Sequence, residues 1–168
     1  NSITHGPDGS LWFTQGLHAF SRVETAHGLA RLDKAGVWRL NPRTQKMEGF
    51  FNGGRAGANC WGVVFDDYNQ IFHKSGDRPD GYYTVPGLVS IVDPDEYHNV
   101  GKMFFTNPKT TSIDIIGTRA LPDDIQGCAL IGGYIGNVVE LHRILDDGAG
   151  FKSEQLPKLM RSSSTAFR

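Results

Sequence analysis

The sequence predicts an all-β fold of the β-propeller type, with roughly three to four four-stranded blades belonging to a larger ring. Three observations predict it. Glycine, at 21 of 168 residues, stands well above its ordinary share of ~7% and follows no collagen period. Aromatic residues are plentiful, with Phe 10, Tyr 5 and Trp 3, as expected for short strands joined by tight turns. Strand-like runs bounded by turn residues recur along the chain, while helical periodicity is hard to find. A β-sandwich is the alternative architecture.

The first strand signal follows a turn at Gly6-Pro7-Asp8-Gly9, where proline presets φ and Gly9 supplies a left-handed position. Leu11–Thr14 is the strand, and a long polar loop follows it through Arg31. Gly36–Leu40 alternates, Asn41-Pro42-Arg43-Thr44 breaks it, and Met47–Phe51 returns, which predicts a hairpin. Trp61–Phe65, a turn at Asp66–Asn69, and Ile71–His73 form the next pair. Aligning Gly9 with Asn69 places Leu11 on Ile71, Trp12 on Phe72 and Gly16 on Gly76. Both turn residues tolerate the left-handed region, which gives the match a physical basis. Residues 77–122 contain five prolines and read as loop-rich, with a short helical turn at Asp93–Val100 and a strand at Ser112–Ile116. Ala129–Tyr134, Asn137–Ile144, a turn at Asp146–Gly150 and a return from Phe151 make a third set.

Composition narrows the function. With 39% hydrophobic and 21% charged residues, the chain is one compact domain rather than a disordered segment. No apolar run approaches the ~20 residues of a membrane helix. Lys+Arg 17 against Asp+Glu 18 lacks the basic excess of a nucleic-acid binder. Cys60 and Cys128 cannot build a disulfide framework or a four-ligand zinc cage, and no C-x-x-C-H haem attachment is present. The histidines are dispersed without metal-ligand spacing, so no metal site is assigned. The chain begins without an initiator methionine or a signal-like segment. Residues 1–168 are therefore read as one propeller piece of a longer polypeptide.

Two loops carry the candidate chemistry. His18, Arg22, Glu24 and His27 lie in the polar loop after the first strand. There His18 or His27 is the candidate general base, His18 being the one assigned as catalytic, and Arg22 would hold an anionic group, with Glu24 and His27 lining the substrate side. The structural alternative pairs Arg22 with Glu24. By the repeat alignment, His73 at a strand end is the second candidate catalytic residue, with Asp77 and Arg78 completing a convergent polar pocket. The alternative is a solvated turn. Asn59 and Trp61 precede and open a strand; Asn59 offers hydrogen bonds and Trp61 a stacking face for a sugar. The alternative is core packing of Trp61 and Cys60. Asp66-Asp67 and Asp146-Asp147-Gly148 offer oxygens for calcium, but aspartate also serves such turns for backbone reasons.

A set of ordered motifs extends this reading. Gly6–Phe13, Ser21–Thr25, Lys34–Arg39, Asn59–Asp66, Leu121–Gly127 and Arg161–Arg168 resemble the N-terminal propeller domain of PVC-type haem-binding CxxCH proteins. Those are often labelled membrane-bound dehydrogenases and are distantly similar to soluble glucose/sorbosone dehydrogenases. The resemblance implies a periplasmic or secreted bacterial redox protein. It would oxidise a sugar or alcohol and pass electrons to a c-type haem domain outside this chain. The distant relatives use pyrroloquinoline quinone with calcium; no motif here assigns residues to either, and no covalent haem is expected. The alternative is a non-catalytic module that binds a carbohydrate or a protein.

Overall fold

The computed structural model describes residues 2–54, 59–76, 80–84, 101–107 and 109–164. These residues are all-β and form three successive antiparallel sheets, none of them closed on itself. Sheet I contains β1 (Ile3–His5), β2 (Leu11–Gln15), β5 (Ala35–Asn41) and β6 (Lys46–Gly54), in that spatial order. A separate hairpin of β3 (Phe20–Thr25) and β4 (Gly28–Asp33) is inserted between β2 and β5. Sheet II runs β7 (Cys60–Phe65), β8 (Ile71–Ser75), β9 (Asp80–Tyr83), β10 (Lys102–Phe105). Sheet III runs β11 (Thr110–Ile115), β12 (Ala129–Gly133), β13 (Val138–Asp147), β14 (Gly150–Gln155), with β15 (Met160–Arg161) also on β13. Asp123–Ile125 makes a single 3-10 turn.

The sheets repeat one local design. In sheet I the amide of Gly6 donates to Ser10 and that of Gly9 donates back to Gly6. Asp66, Gln70 and Asn69 make the same reciprocal pair in sheet II, and Ile116, Cys128 and Gly127 make it in sheet III. Gly9, Asn69 and Gly127 all sit in the left-handed region, at φ 77°, 65° and 73°. The Gly9–Asn69 alignment thus has a counterpart in backbone geometry, and a third member lies behind an inserted loop that hides it in the sequence. The opposite strand ends repeat too. Asn59 and Lys109 precede β7 and β11 at φ 62° and 59°. A bulge follows each, between Cys60 and Gly62 and between Thr110 and Ser112.

Alternation along the strands places the core between the sheets. Trp12 of β2 and Phe72 of β8 hold equivalent positions, and each faces the following sheet. Trp12 meets Phe65 edge-on at 5.2 Å, and it packs with Val37, Phe51 and Val63. Phe72 packs with Phe104, Ile113 and Ile131 and meets Phe151 edge-on at 5.6 Å. The next position faces backwards: His73, after Phe72, lies on Phe51 of sheet I, and Ile131, at the same place in β12, lies against sheet II.

Two segments depart from the sequence-based expectation. The polar stretch after β2 is a hairpin rather than a loop. Ala30 and Leu32 are its buried residues, and they pack with Trp38, Phe13 and Met47 on the outer face of sheet I. The loop-rich stretch supplies β9 and β10, whose Tyr82, Met103 and Phe104 are core residues. The helical turn expected at Asp93–Val100 lies outside the described residues.

Candidate functional site

The strand ends that carry Ser75 of β8 and Thr110 of β11 meet. The Thr110 hydroxyl donates to the Ser75 carbonyl at 2.9 Å, and the same oxygen accepts the buried Lys74 ammonium at 2.7 Å. Asn59, Trp61 and Lys109 belong to this end. The bulge makes Trp61 the extra residue of β7 and re-aims its side chain. The indole lies against Gly76, where a Cβ would overlap the ring, so only glycine permits the contact. The Lys109 ammonium stands 5.8 Å from the centroid of the same ring. Trp61 keeps part of its surface exposed. The Asn59 carbonyl accepts the Gly76 amide at 2.9 Å, and the Lys109 carbonyl accepts that of Tyr134 at 2.9 Å. Both loops are therefore tied to the strand beside them.

The other expected site residues are distributed differently. His18 is exposed at the turn between β2 and β3. Arg22 forms a two-pronged ion pair with Asp33 across the hairpin, and Glu24 stands opposite Leu29 in the strand register. His27 is at the hairpin tip, where its Nε2 donates to the Thr44 carbonyl at 2.8 Å. Thr44 lies in the β5–β6 turn, at the other end of sheet I from the β2–β3 turn. The hairpin therefore draws Arg22, Glu24 and His27 along the outer face of the sheet. Asp77 and Arg78 lie outside the described residues.

His73 occupies the second strand of sheet II and is fully buried. Its ring stacks on Tyr82 at 4.9 Å and meets Phe51 at 4.5 Å. Its Nδ1 is hydrogen-bonded to the Thr84 hydroxyl, while Nε2 has no partner among the described residues. Burial, aided by the nearby Lys74 charge, pushes the imidazole pKa down to about 3, so the ring is neutral. Cys60 is likewise enclosed, and burial pushes its thiol up to about 12, which removes it as a nucleophile at ordinary pH.

Sequence reasoning passed over a buried polar cluster between the sheets. The Glu140 carboxylate accepts the backbone and side-chain amides of Asn107, and it accepts His142 Nε2 at 3.4 Å. Glu140 and His142 are both buried, and Phe104 meets the imidazole edge-on at 5.8 Å. Burial opposes ionisation of Glu140, but these hydrogen bonds outweigh it and hold the carboxyl below its usual range. Glutamate and histidine two apart on a strand share one face, which is the only signal the sequence offers for the pair. Lys109 has a clearer signal, because Lys109–Ile115 repeats the length and position of Asn59–Phe65.

Among the described residues no three His, Cys, Asp or Glu side chains converge as metal ligands. Asp66 Oδ1 instead accepts the amides of Tyr68 and Gln70 at 2.9 and 2.8 Å, which explains that aspartate as a turn residue. No helix among the described residues is long and apolar enough to cross a membrane. No family model matches the chain, and no curated protein is significantly similar to it.

Proposed function

We propose that this chain is a run of consecutive propeller blades serving as a non-catalytic recognition module, with a neutral carbohydrate bound at the Trp61 end. The blade reading is supported by three successive sheets, two of four strands and one of four plus the short β15, that repeat the same turn, left-handed residue and inter-sheet packing. The observation that carries the binding reading is the bulge that sets a partly exposed Trp61 on Gly76 with the Lys109 ammonium over the ring. A flat indole offers stacking area to the apolar face of a pyranose, and Asn59 and Lys109 offer polar groups for its hydroxyls. The enclosed, neutral His73 favours recognition over proton abstraction by a His18–His73 pair. The resemblance to the haem-binding CxxCH propellers remains compatible with this role. In a secreted or periplasmic protein, such a module would present sugar polymers to redox domains elsewhere.

The test is isothermal titration with soluble cello-, xylo- and malto-oligosaccharides, followed through tryptophan fluorescence. Wild type should release heat with at least one series, and Trp61→Ala should lose it while retaining its thermal unfolding transition. Silence across all three series, or heat unchanged in Trp61→Ala, would overturn the reading.

A further inference from the structure

We propose that the groove between sheets II and III, at the strand ends opposite Trp61, binds an aliphatic diamine or polyamine. The groove has a volume of about 430 Å³, within the range of small-molecule clefts, ~300–1,000 Å³. One wall comes from the β7–β8 turn, with Asp66, Asp67 and Tyr68. The other comes from the β13–β14 hairpin, with Ile144, Asp146 and Phe151. Ile115, the last residue of β11, adds to the apolar lining. Among the described residues no Lys, Arg or His lines the groove.

The lining is held in place by the fold itself. Phe151 meets Tyr83 edge-on at 4.7 Å and Phe72 edge-on at 5.6 Å. The Tyr83 hydroxyl donates to the Gln70 side-chain carbonyl, and the Gln70 backbone amide donates to Asp66 Oδ1 at 2.8 Å. The aromatic wall and the acidic turn are thus one connected unit. Burial, with the Asp66 charge added to it, pushes the Tyr83 phenol up, so the hydroxyl keeps its proton and remains the donor.

Charge and shape together select the ligand. Asp67 and Asp146 are exposed, and neither carboxylate has a hydrogen-bond or ion-pair partner among the described residues. Asp147, next to Asp146 but outside the groove lining, is paired with Lys152 at 3.5 Å. Asp66 uses Oδ1 to accept the turn amides. Three carboxylates therefore border an apolar surface that brings no cation of its own. They do not converge as metal ligands, so a single small ion cannot engage all three. A flexible chain with an ammonium at each end can. One ammonium meets the Asp66–Asp67 wall and the other meets Asp146, while the methylenes between them lie along Ile115, Ile144 and Phe151. Tyr68, 84% exposed at the rim, and Phe151 add aromatic rings that attract an ammonium.

The experiment is isothermal titration of the full chain, at low ionic strength, with putrescine, cadaverine, spermidine and spermine. At least one should bind saturably with one-to-one stoichiometry, and butylamine, which has a single ammonium, should bind about tenfold more weakly. Asp146→Asn should weaken the best amine about fivefold, the upper worth of one exposed ion pair. Glu24→Gln makes the same change in net charge at an exposed position on the outer hairpin of sheet I, and it should leave binding unchanged. Asp67→Asn, in the exposed turn, should act in the same direction as Asp146→Asn, and thermal unfolding checks that each variant is folded. No saturable binding by any of the four amines would overturn the proposal. So would butylamine binding as tightly as the diamines, or folded Asp67→Asn and Asp146→Asn variants that both bind like wild type. An equal loss in Glu24→Gln would also overturn it, by showing diffuse attraction to the surface. Tighter binding of calcium than of any amine at the same carboxylates would overturn the extended-cation reading. The groove and Trp61 lie at opposite strand ends, so a chain that binds no glycan leaves this test untouched, and Asp146→Asn should leave any glycan heat unchanged.

Discussion

Asn69 rebuilds in sheet II the turn that Gly9 closes in sheet I. Each donates its amide three residues back at 3.0 Å, to Asp66 and Gly6 respectively, and each holds a left-handed φ, at 65° and 77°. Glycine and asparagine are the two residue types that enter this region at least cost, so two dissimilar sequences reach one geometry.

That equivalence predicts the cost of substitution. A Cβ at Gly9 or Gly127 would meet nothing within 4 Å, so Gly9→Ala and Gly127→Ala should cost only the backbone penalty, about 1 kcal/mol each. Urea denaturation measures it. A cost near zero at both positions would show that the left-handed conformation is not what selects glycine there.

Glu140 should be a large contributor to stability for a polar residue. Glu140→Ala leaves the Asn107 amides and the His142 ring without their acceptor in a buried setting. The expected loss is about 3 kcal/mol, as for one member of a buried hydrogen-bonded pair. Glu140→Gln keeps an acceptor and should lose less. Equal losses in the two variants would mean that shape, not hydrogen bonding, holds this position.

His73 should make the fold acid-sensitive well above the carboxylate range. Its pKa falls from 6.5 to about 3 on folding, so below pH 6.5 the unfolded chain takes up a proton that the folded chain refuses. Stability from this group is therefore complete above pH 6.5 and declines as pH falls towards 3, by up to about 1.4 kcal/mol per pH unit. His73→Phe keeps an aromatic ring beside Tyr82 and Phe51 and removes the proton. Its stability should fall less steeply between pH 6 and 4 than that of wild type. Identical slopes would place the acid sensitivity elsewhere.

The strands with ordinary punctuation were legible in the sequence. Gly36–Leu40 and Met47–Phe51 do form the β5–β6 hairpin, and Trp61–Phe65 and Ile71–His73 form the β7–β8 pair. The Gly9–Asn69 match was legible because left-handed turns restrict residue choice. The third turn was hidden by the insertion between Ile116 and Gly127. The β3–β4 hairpin looks like a loop in the sequence because only Ala30 and Leu32 of its residues are buried, too few to set a clear alternation. At the candidate site, Asn59 and Trp61 were found from their types, whereas Lys109 needed the repeat.

By itself the sequence determined the strand-and-turn grammar. Glycine, asparagine and proline fix local backbone angles, and alternation fixes which side chains share a face. Which face meets which was decided only by the tertiary structure. Stacking the sheets buried His73 as a neutral ring, brought Asn107 from a distant segment onto Glu140 beside His142, and laid the polar hairpin across Trp38. Those outcomes depend on long-range burial and desolvation, which no local pattern of residues encodes.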